Sequence, residues 1–228
     1  MIKNVFFDID DTLLNFKKAE FEALSKTLRL FGVEPDPVMI ERYSAINSAR
    51  WEMLERGELT REQVLISRFE LFFSEYGIGV SAEEAQDKYE YLLGVGHWFI
   101  DGAPELLEAL SGKYRLYIAS NGTKSIQDRR IASAGIGKYF DGIFVSELIG
   151  AEKPQRAFFE RCFSKIPDFR REETVMVGDR LSSDILGGIN AGIRTCWFNP
   201  NALPARADIR PDFEIRRLAE LPDILAII

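Results

Sequence analysis

Ile2-Lys3-Asn4-Val5-Phe6-Phe7-Asp8-Ile9-Asp10-Asp11-Thr12-Leu13 is the stretch on which the fold turns. Residues 2–7 are nearly all apolar and rich in β-formers, and the run stops abruptly at Asp8-Ile9-Asp10-Asp11. An unbroken apolar run of this kind reads as a central parallel strand buried on both faces. Three later runs repeat the pattern: 115–119 before Ser120-Asn121-Gly122, 142–145 before Ser146-Glu147, and 174–177 before Gly178-Asp179. A fifth, 195–198, ends at Asn199-Pro200. Helical patterns lie between them at about 125–134, 155–164 and 183–191. Strand alternating with helix implies right-handed crossovers and an α/β, doubly wound parallel sheet. Ligands of such sheets sit beyond the carboxyl ends of the strands. There this sequence places its acids, its hydroxyls and Lys153.

The stretch 16–98 is different, with helical periodicity almost throughout. Ala23, Leu24, Thr27, Leu28 and Phe31 mark one helix; Ile40, Tyr43, Ile46 and Trp51 a second. Val64, Leu65, Phe69 and Phe72 mark a third, and Ala85, Tyr89, Leu92 and Leu93 a fourth. Gly32-Val33-Glu34-Pro35, Gly57 and Gly77-Ile78-Gly79 punctuate them. An all-α domain of about four helices, residues 16–98, is therefore expected as an insertion after the first strand. Residues 1–15 and 99–228 then form the core domain. His97, the single histidine, falls at the return and is expected to pack at the junction.

Bulk properties exclude several classes. The formal charge of −7 argues against a nucleic acid or an anionic membrane surface as partner, because both want a basic patch. No apolar run approaches the roughly 20 residues that span a bilayer. No signal peptide is visible, and Cys162 and Cys196 make neither a disulfide framework nor a metal cluster. Two reduced core thiols in a cytoplasmic protein, a monomer or weak dimer, are expected. No Gly-x-x-x-x-Gly-Lys-Ser/Thr loop occurs. Acids stand where a dinucleotide fingerprint would need glycines.

The chemistry lies at the strand ends. Asp8 and Asp10, two apart past a buried strand, come close together in a turn, and like charges held close need a cation or a shared proton. Their natural use is a nucleophile beside a general acid–base, with a metal ion damping the repulsion. Asp179, at another strand end, joins Asp8 as a second carboxylate for a hard, oxygen-preferring Mg²⁺. Asp184 either orients a metal water or opens the following helix. Ser120-Asn121-Gly122 offers a hydroxyl and backbone N–H groups to phosphate oxygens, although the same tripeptide is an everyday turn. Lys153, its backbone fixed by Pro154, supplies an ammonium that neutralises charge in ground and transition states.

The order acid pair, Ser-Asn, Lys-Pro, Gly-Asp closely resembles the haloacid dehalogenase superfamily of phosphohydrolases across essentially the whole chain. The helical insertion is similar to that family's type-1 cap, which would exclude water from the reacting centre. The aspartate two after the nucleophile, absent from the dehalogenase members, is present here as Asp10 and favours phosphoryl transfer. The resemblance implies a Mg²⁺-dependent phosphomonoesterase in which Asp8 attacks phosphorus and becomes an aspartyl-phosphate. Asp10 then serves as acid and base, while Ser120, Lys153 and the backbone N–H groups near Asn121 bind the phosphoryl oxygens. Mg²⁺ is held by Asp8, the Asp10 main-chain carbonyl and Asp179, with Asp184 in support.

Tyr43-Ser44-Ala45-Ile46-Asn47 with Trp51 and Arg68-Phe69-Glu70, and the run from Gly178-Asp179 to Gly192, resemble the bacterial pyrimidine 5′-nucleotidase branch. A nucleoside monophosphate such as dUMP or dTMP is the implied substrate. Trp51 would stack on a base and Asn47 would hydrogen-bond to its edge or sugar. Phe69 is expected in the core, and Arg68 with Glu70 as an ordinary surface pair. Gly187, Gly188 and Gly192 are expected to let a helix pack closely on the sheet. A sugar-phosphate phosphatase or phosphoglucomutase-like enzyme is the alternative within the same core, and a catalytically idle binding protein the alternative outside enzymes.

Overall fold

The computed structural model describes all 228 residues. The chain forms two compact units, one of Met1–Asn15 with His97–Ile228 and the other of Phe16–Gly96.

Six parallel strands make the sheet of the first unit: β1 (Asn4–Phe7), β2 (Arg115–Ser120), β3 (Gly142–Val145), β4 (Thr174–Gly178), β5 (Arg194–Phe198) and β6 (Phe213–Ile215). Their order across the sheet is β3-β2-β1-β4-β5-β6. The apolar opening run thus lies near the middle, hydrogen-bonded to β2 on one edge and β4 on the other. Side chains alternate between faces along each strand. Val5, Phe7, Leu116, Ile118, Val175 and Val177 turn to one core. There they meet helices α5 (Ala103–Leu110), α6 (Lys124–Ala134) and α10 (Leu221–Ile227). Phe6, Tyr117, Ala119 and Met176 turn to the other, against α8 (Arg156–Phe163) and α9 (Leu186–Ala191). Burial on both faces explains why these strands read as continuous apolar runs rather than alternating ones.

Several elements went unread in the sequence. Helices α5 and α10, strand β6 and the single turn α7 (Ser146–Ile149) are present in addition to those expected. The expected helix at 183–191 opens with one π-helical turn, Leu181–Ile185, before α9. The glycine expectation for this helix, close packing on the sheet, is met at Gly188 alone, because Gly187 faces α8 instead. A Cβ on Gly187 would stand 2.7 Å from the Phe159 ring, and one on Gly188 2.6 Å from a Thr195 methyl. Both therefore serve close packing, whereas Gly192 ends α9 in a left-handed conformation.

The second unit holds four helices: α1 (Phe16–Leu30), α2 (Pro37–Glu55), α3 (Arg61–Tyr76) and α4 (Ala82–Leu93). Their starts are set by side chains that accept from free backbone N–H groups: Asp36 from Met39, Thr60 from Gln63 in a capping box, and Ser81 from Glu84. Tyr43, Phe69, Phe72 and Tyr89 pack ring to ring at its centre. Arg68 corrects the surface-pair expectation: it is 2% exposed, and its guanidinium donates to Asn47 Oδ1 at 2.8 Å and Gln86 Oε1 at 2.6 Å. A buried guanidinium needs partners on every side, and this one also lies over the rings of Phe69 and Tyr89. No helix of the chain is long and apolar enough to cross a membrane.

Candidate active site

The functional side chains gather at the carboxyl end of the sheet because four strands stop there together. Asp8 follows β1 directly, and its N–H donates to Val177 O of the neighbouring β4. Asp179 follows β4, and its N–H donates to the Thr12 hydroxyl, which donates back to Asp179 Oδ1. Trp197 on β5 fixes the same residue by donating its indole N–H to the Asp179 carbonyl at 2.8 Å. Asp184 enters from the π turn after β4. Gly178 makes room for it, since any side chain there would run into the Asp184 carboxylate.

Carboxylate oxygens of Asp8, Asp179 and Asp184 lie within 4.8 Å of one another. Lys153 is pushed into this group with 1% of its surface exposed. Its ammonium donates to Asp8 Oδ1, Asp184 Oδ1 and the Ala119 carbonyl, each at 2.7 Å. Burial opposes the lysine's charge, but Asp184 and Asp8 outweigh it and raise its pKa above the ordinary value. Burial pushes the Asp8 carboxyl up to about 7; Lys153 pulls it down, while Asp184 and Asp10 add to the rise. Asp179 stands well above the usual carboxylate range, through burial first and then its neighbours Asp184 and Asp8. Two buried carboxylates, Asp8 and Asp184, thus share one ammonium, and the partly buried Asp179 stands beside them. Such a donor set, all oxygen and in excess of its fixed counter-charge, fits a hard divalent cation.

The loop after β2 supplies the other wall. Two donors converge on the buried Ser120 hydroxyl oxygen, the Gly122 N–H at 3.0 Å and Gln127 Nε2 at 2.9 Å. That leaves the serine's own proton for a further acceptor. The Asn121 side chain, which the sequence left without a role beside the backbone N–H groups around it, is taken up by the neighbouring loop. Its amide donates to the Lys153 carbonyl at 2.9 Å and accepts from the Lys153 N–H at 2.8 Å. It clips the loop that carries the lysine. The Lys153–Pro154 peptide bond within that loop is cis.

Asp10 is turned toward α6. Arg130 forms an ion pair with its Oδ1, and Gln127 Nε2 donates to its Oδ2 at 2.7 Å. Neither partner was singled out in the sequence, yet a signal existed. The inward face of α6 is Ile126, Gln127, Arg130 and Ile131. An arginine in the middle of such a face has to meet an acid. The remaining sequence expectations lie elsewhere. Asn47 is 3% exposed within the helical unit, donating to Glu20 at 2.7 Å and accepting from Arg68. Its amide is thus committed to a structural network rather than turned outward to read a base. Trp51 is half-buried, with the Arg61 guanidinium 5.4 Å from its ring. His97 bonds to Ser133 and stacks edge-on with Phe99, and both cysteines are free and buried.

Comparison with known proteins bears on this geometry. The sequence pattern of the haloacid dehalogenase-like hydrolases matches residues 2–192. The HAD-hydrolase YfnB of Bacillus subtilis is 39% identical over 99% of this chain and 96% of its own. Its crystal structure, bound to magnesium, superposes with a TM-score of 0.95 at 38% identity, covering 99% of each chain. The pyrimidine 5′-nucleotidase PynA of Streptococcus pneumoniae is 35% identical over 98% of this chain and 94% of its own. The pyrimidine 5′-nucleotidase YjjG of Escherichia coli is 30% identical, over 97% and 96%.

Proposed function

The chain belongs to the haloacid dehalogenase-like hydrolases, and from that footing we propose that it is a Mg²⁺-dependent phosphomonoesterase acting on pyrimidine nucleoside 5′-monophosphates. The observation that carries the chemistry is the close group of Asp8, Asp179 and Asp184, two of them paired with the buried Lys153 ammonium. What supports the substrate is the near-full-length similarity to two pyrimidine 5′-nucleotidases.

In the first half-reaction an Asp8 carboxylate oxygen forms a bond to phosphorus and the ester P–O bond breaks. The departing oxygen keeps the electron pair and takes a proton from Asp10. In the second half Asp10 removes a proton from water, the water oxygen bonds to phosphorus, and the bond to Asp8 breaks. Free phosphate leaves and the carboxylate is restored. Lys153 stays within reach of Asp8 throughout and offsets charge on the phosphoryl oxygens, while Ser120 donates its proton to one of them. Mg²⁺, held by Asp8, Asp179 and Asp184 with the Asp10 main-chain carbonyl, would neutralise the carboxylates and draw charge from the phosphoryl group. A cytoplasmic setting suits two buried cysteines that stay reduced.

The test is phosphate release from a panel of nucleoside monophosphates and sugar phosphates, with Mg²⁺ or EDTA, for wild type and Asp8→Asn. Pyrimidine nucleotides should lead, EDTA should stop release, and the variant should be inactive. If sugar phosphates lead, the core chemistry stands and the nucleotide assignment falls. No metal-dependent release from any ester would leave a binding protein.

A further inference from the structure

Asp10 has both carboxylate oxygens engaged by one helix. Arg130 pairs with Oδ1, Gln127 donates to Oδ2, and Arg130 also donates to Gln127 Oε1 at 3.1 Å. The exposures are unequal: the Arg130 side chain is 1% exposed and that of Asp10 28%. A buried guanidinium is rigid, and its planar fork fixes the direction of whatever carboxylate it holds. Gln127 adds a second constraint, because the same Nε2 reaches Ser120 Oγ. Gly122 leaves that amide its space, since a Cβ there would meet Gln127 Nε2. One amide therefore ties the Asp10 carboxylate to the hydroxyl assigned to the phosphoryl group.

We propose that Arg130 and Gln127 are positioning residues for the proton-transfer step, holding Asp10 in register with Ser120 so that its carboxyl faces the leaving oxygen of a seated phosphate. The inference rests on Asp10 being the acid and base of the reaction above. Without the pair Asp10 remains in the protein but swings freely. A proton donor misplaced by about 1 Å can cost on the order of a hundredfold in rate. That loss falls only on reactions that need the proton. An alkyl phosphate, a nucleoside 5′-monophosphate included, departs as a strongly basic alkoxide and needs it; a nitrophenyl phosphate departs as a stable phenolate and does not.

The experiment compares kcat/KM for a nucleoside monophosphate and for p-nitrophenyl phosphate in wild type, Arg130→Met, Arg130→Lys, Gln127→Leu and Asp10→Asn. This ratio reports on steps up to departure of the leaving group. For Arg130→Met the alkyl ester should lose about 10- to 100-fold and the aryl ester less than about threefold. Arg130→Lys should recover part of the loss. Gln127→Leu, which keeps both members of the Asp10–Arg130 ion pair, should show the same selectivity on a smaller scale and stands in if Arg130→Met fails to fold. A purely structural role lowers both esters together, and equal losses in the soluble variants overturn the proposal. If Asp10→Asn itself spares the alkyl ester, the assignment of Asp10 is wrong and the proposal falls with it. If Asp10→Asn is selective while the Arg130 and Gln127 variants are not, only the positioning role fails.

Discussion

Replacing Lys153 by methionine keeps most of the stem's volume and deletes its charge. In the folded protein that ammonium serves Asp8, Asp184 and the Ala119 carbonyl, each at 2.7 Å, from a position closed to solvent. Deleting one partner of a buried ion pair costs about 3–5 kcal/mol. Two carboxylates lose the same partner here, which places the variant at the upper end, about 5 kcal/mol. In a chain of this size each kcal/mol lowers the melting temperature by about 2–4 °C. Without metal at pH 8, the sheet unit of Lys153→Met should therefore melt about 10–20 °C below wild type. The sign of the pH dependence follows from Asp8. Burial raises its pKa to about 7 and Lys153 restrains the rise. Without the lysine the carboxyl climbs further, so the folded variant binds more protons than the unfolded chain near neutrality. Its stability then grows as pH falls from 8 toward 6, and the deficit against wild type narrows. Calorimetry in EDTA at pH 6, 7 and 8 reads this directly. Saturating Mg²⁺ should return about 3 kcal/mol at a hundredfold excess over its dissociation constant. A variant that melts within about 2 °C of wild type in EDTA at pH 8 would refute the reasoning, because the carboxylates would then have no need of the ammonium.

Two further expectations are simpler. Asp8 is pushed up to about 7 by burial and Asp179 also lies high, whereas a metal requires both ionised. Mg²⁺ affinity should fall as pH drops through about 7 with protons released on binding, as read by calorimetry in buffers of different ionisation heat; affinity unchanged from pH 8 to pH 6 would sink the idea. Gly188→Ala forces a methyl against Thr195 and Met176 and should lower stability by about 1–3 kcal/mol while leaving KM unchanged, checked by denaturant melts beside steady-state kinetics.

The legible parts of the molecule were those where burial leaves a one-dimensional trace. Residues 4–7 and 174–178 are covered on both faces, so their apolar runs are unbroken and their ends are sharp. The acids at those ends stood out against them, which is why Asp8 and Asp179 could be named before any geometry. Strand β6 is only three residues long at the sheet edge, with Glu214 exposed at its centre, and such a strand carries almost no pattern. The α6 network was hidden for another reason. Gln127 and Arg130 share a face with Ile126 and Ile131 in an otherwise polar helix, a trace that marks them as inward but does not name Asp10 as their partner. Asn121 and Asn47 show the converse limit: residue type announced hydrogen bonding, but not that the partners would be the Lys153 backbone and Glu20 with Arg68.

The sheet order has a consequence in time. Strand β1 lies between β2 and β4, so its second edge stays open until residues up to 178 have been synthesised. Lys153 follows Asp8 by 145 residues, and Asp184 emerges later still. A nascent chain stopped short of Asp184 therefore carries Asp8 without the full set of groups that surround it in the folded protein, and contacts this distant in sequence form slowly. Chains interrupted before Asp184 should lack the assembled carboxylate group and the divalent-cation affinity that it confers.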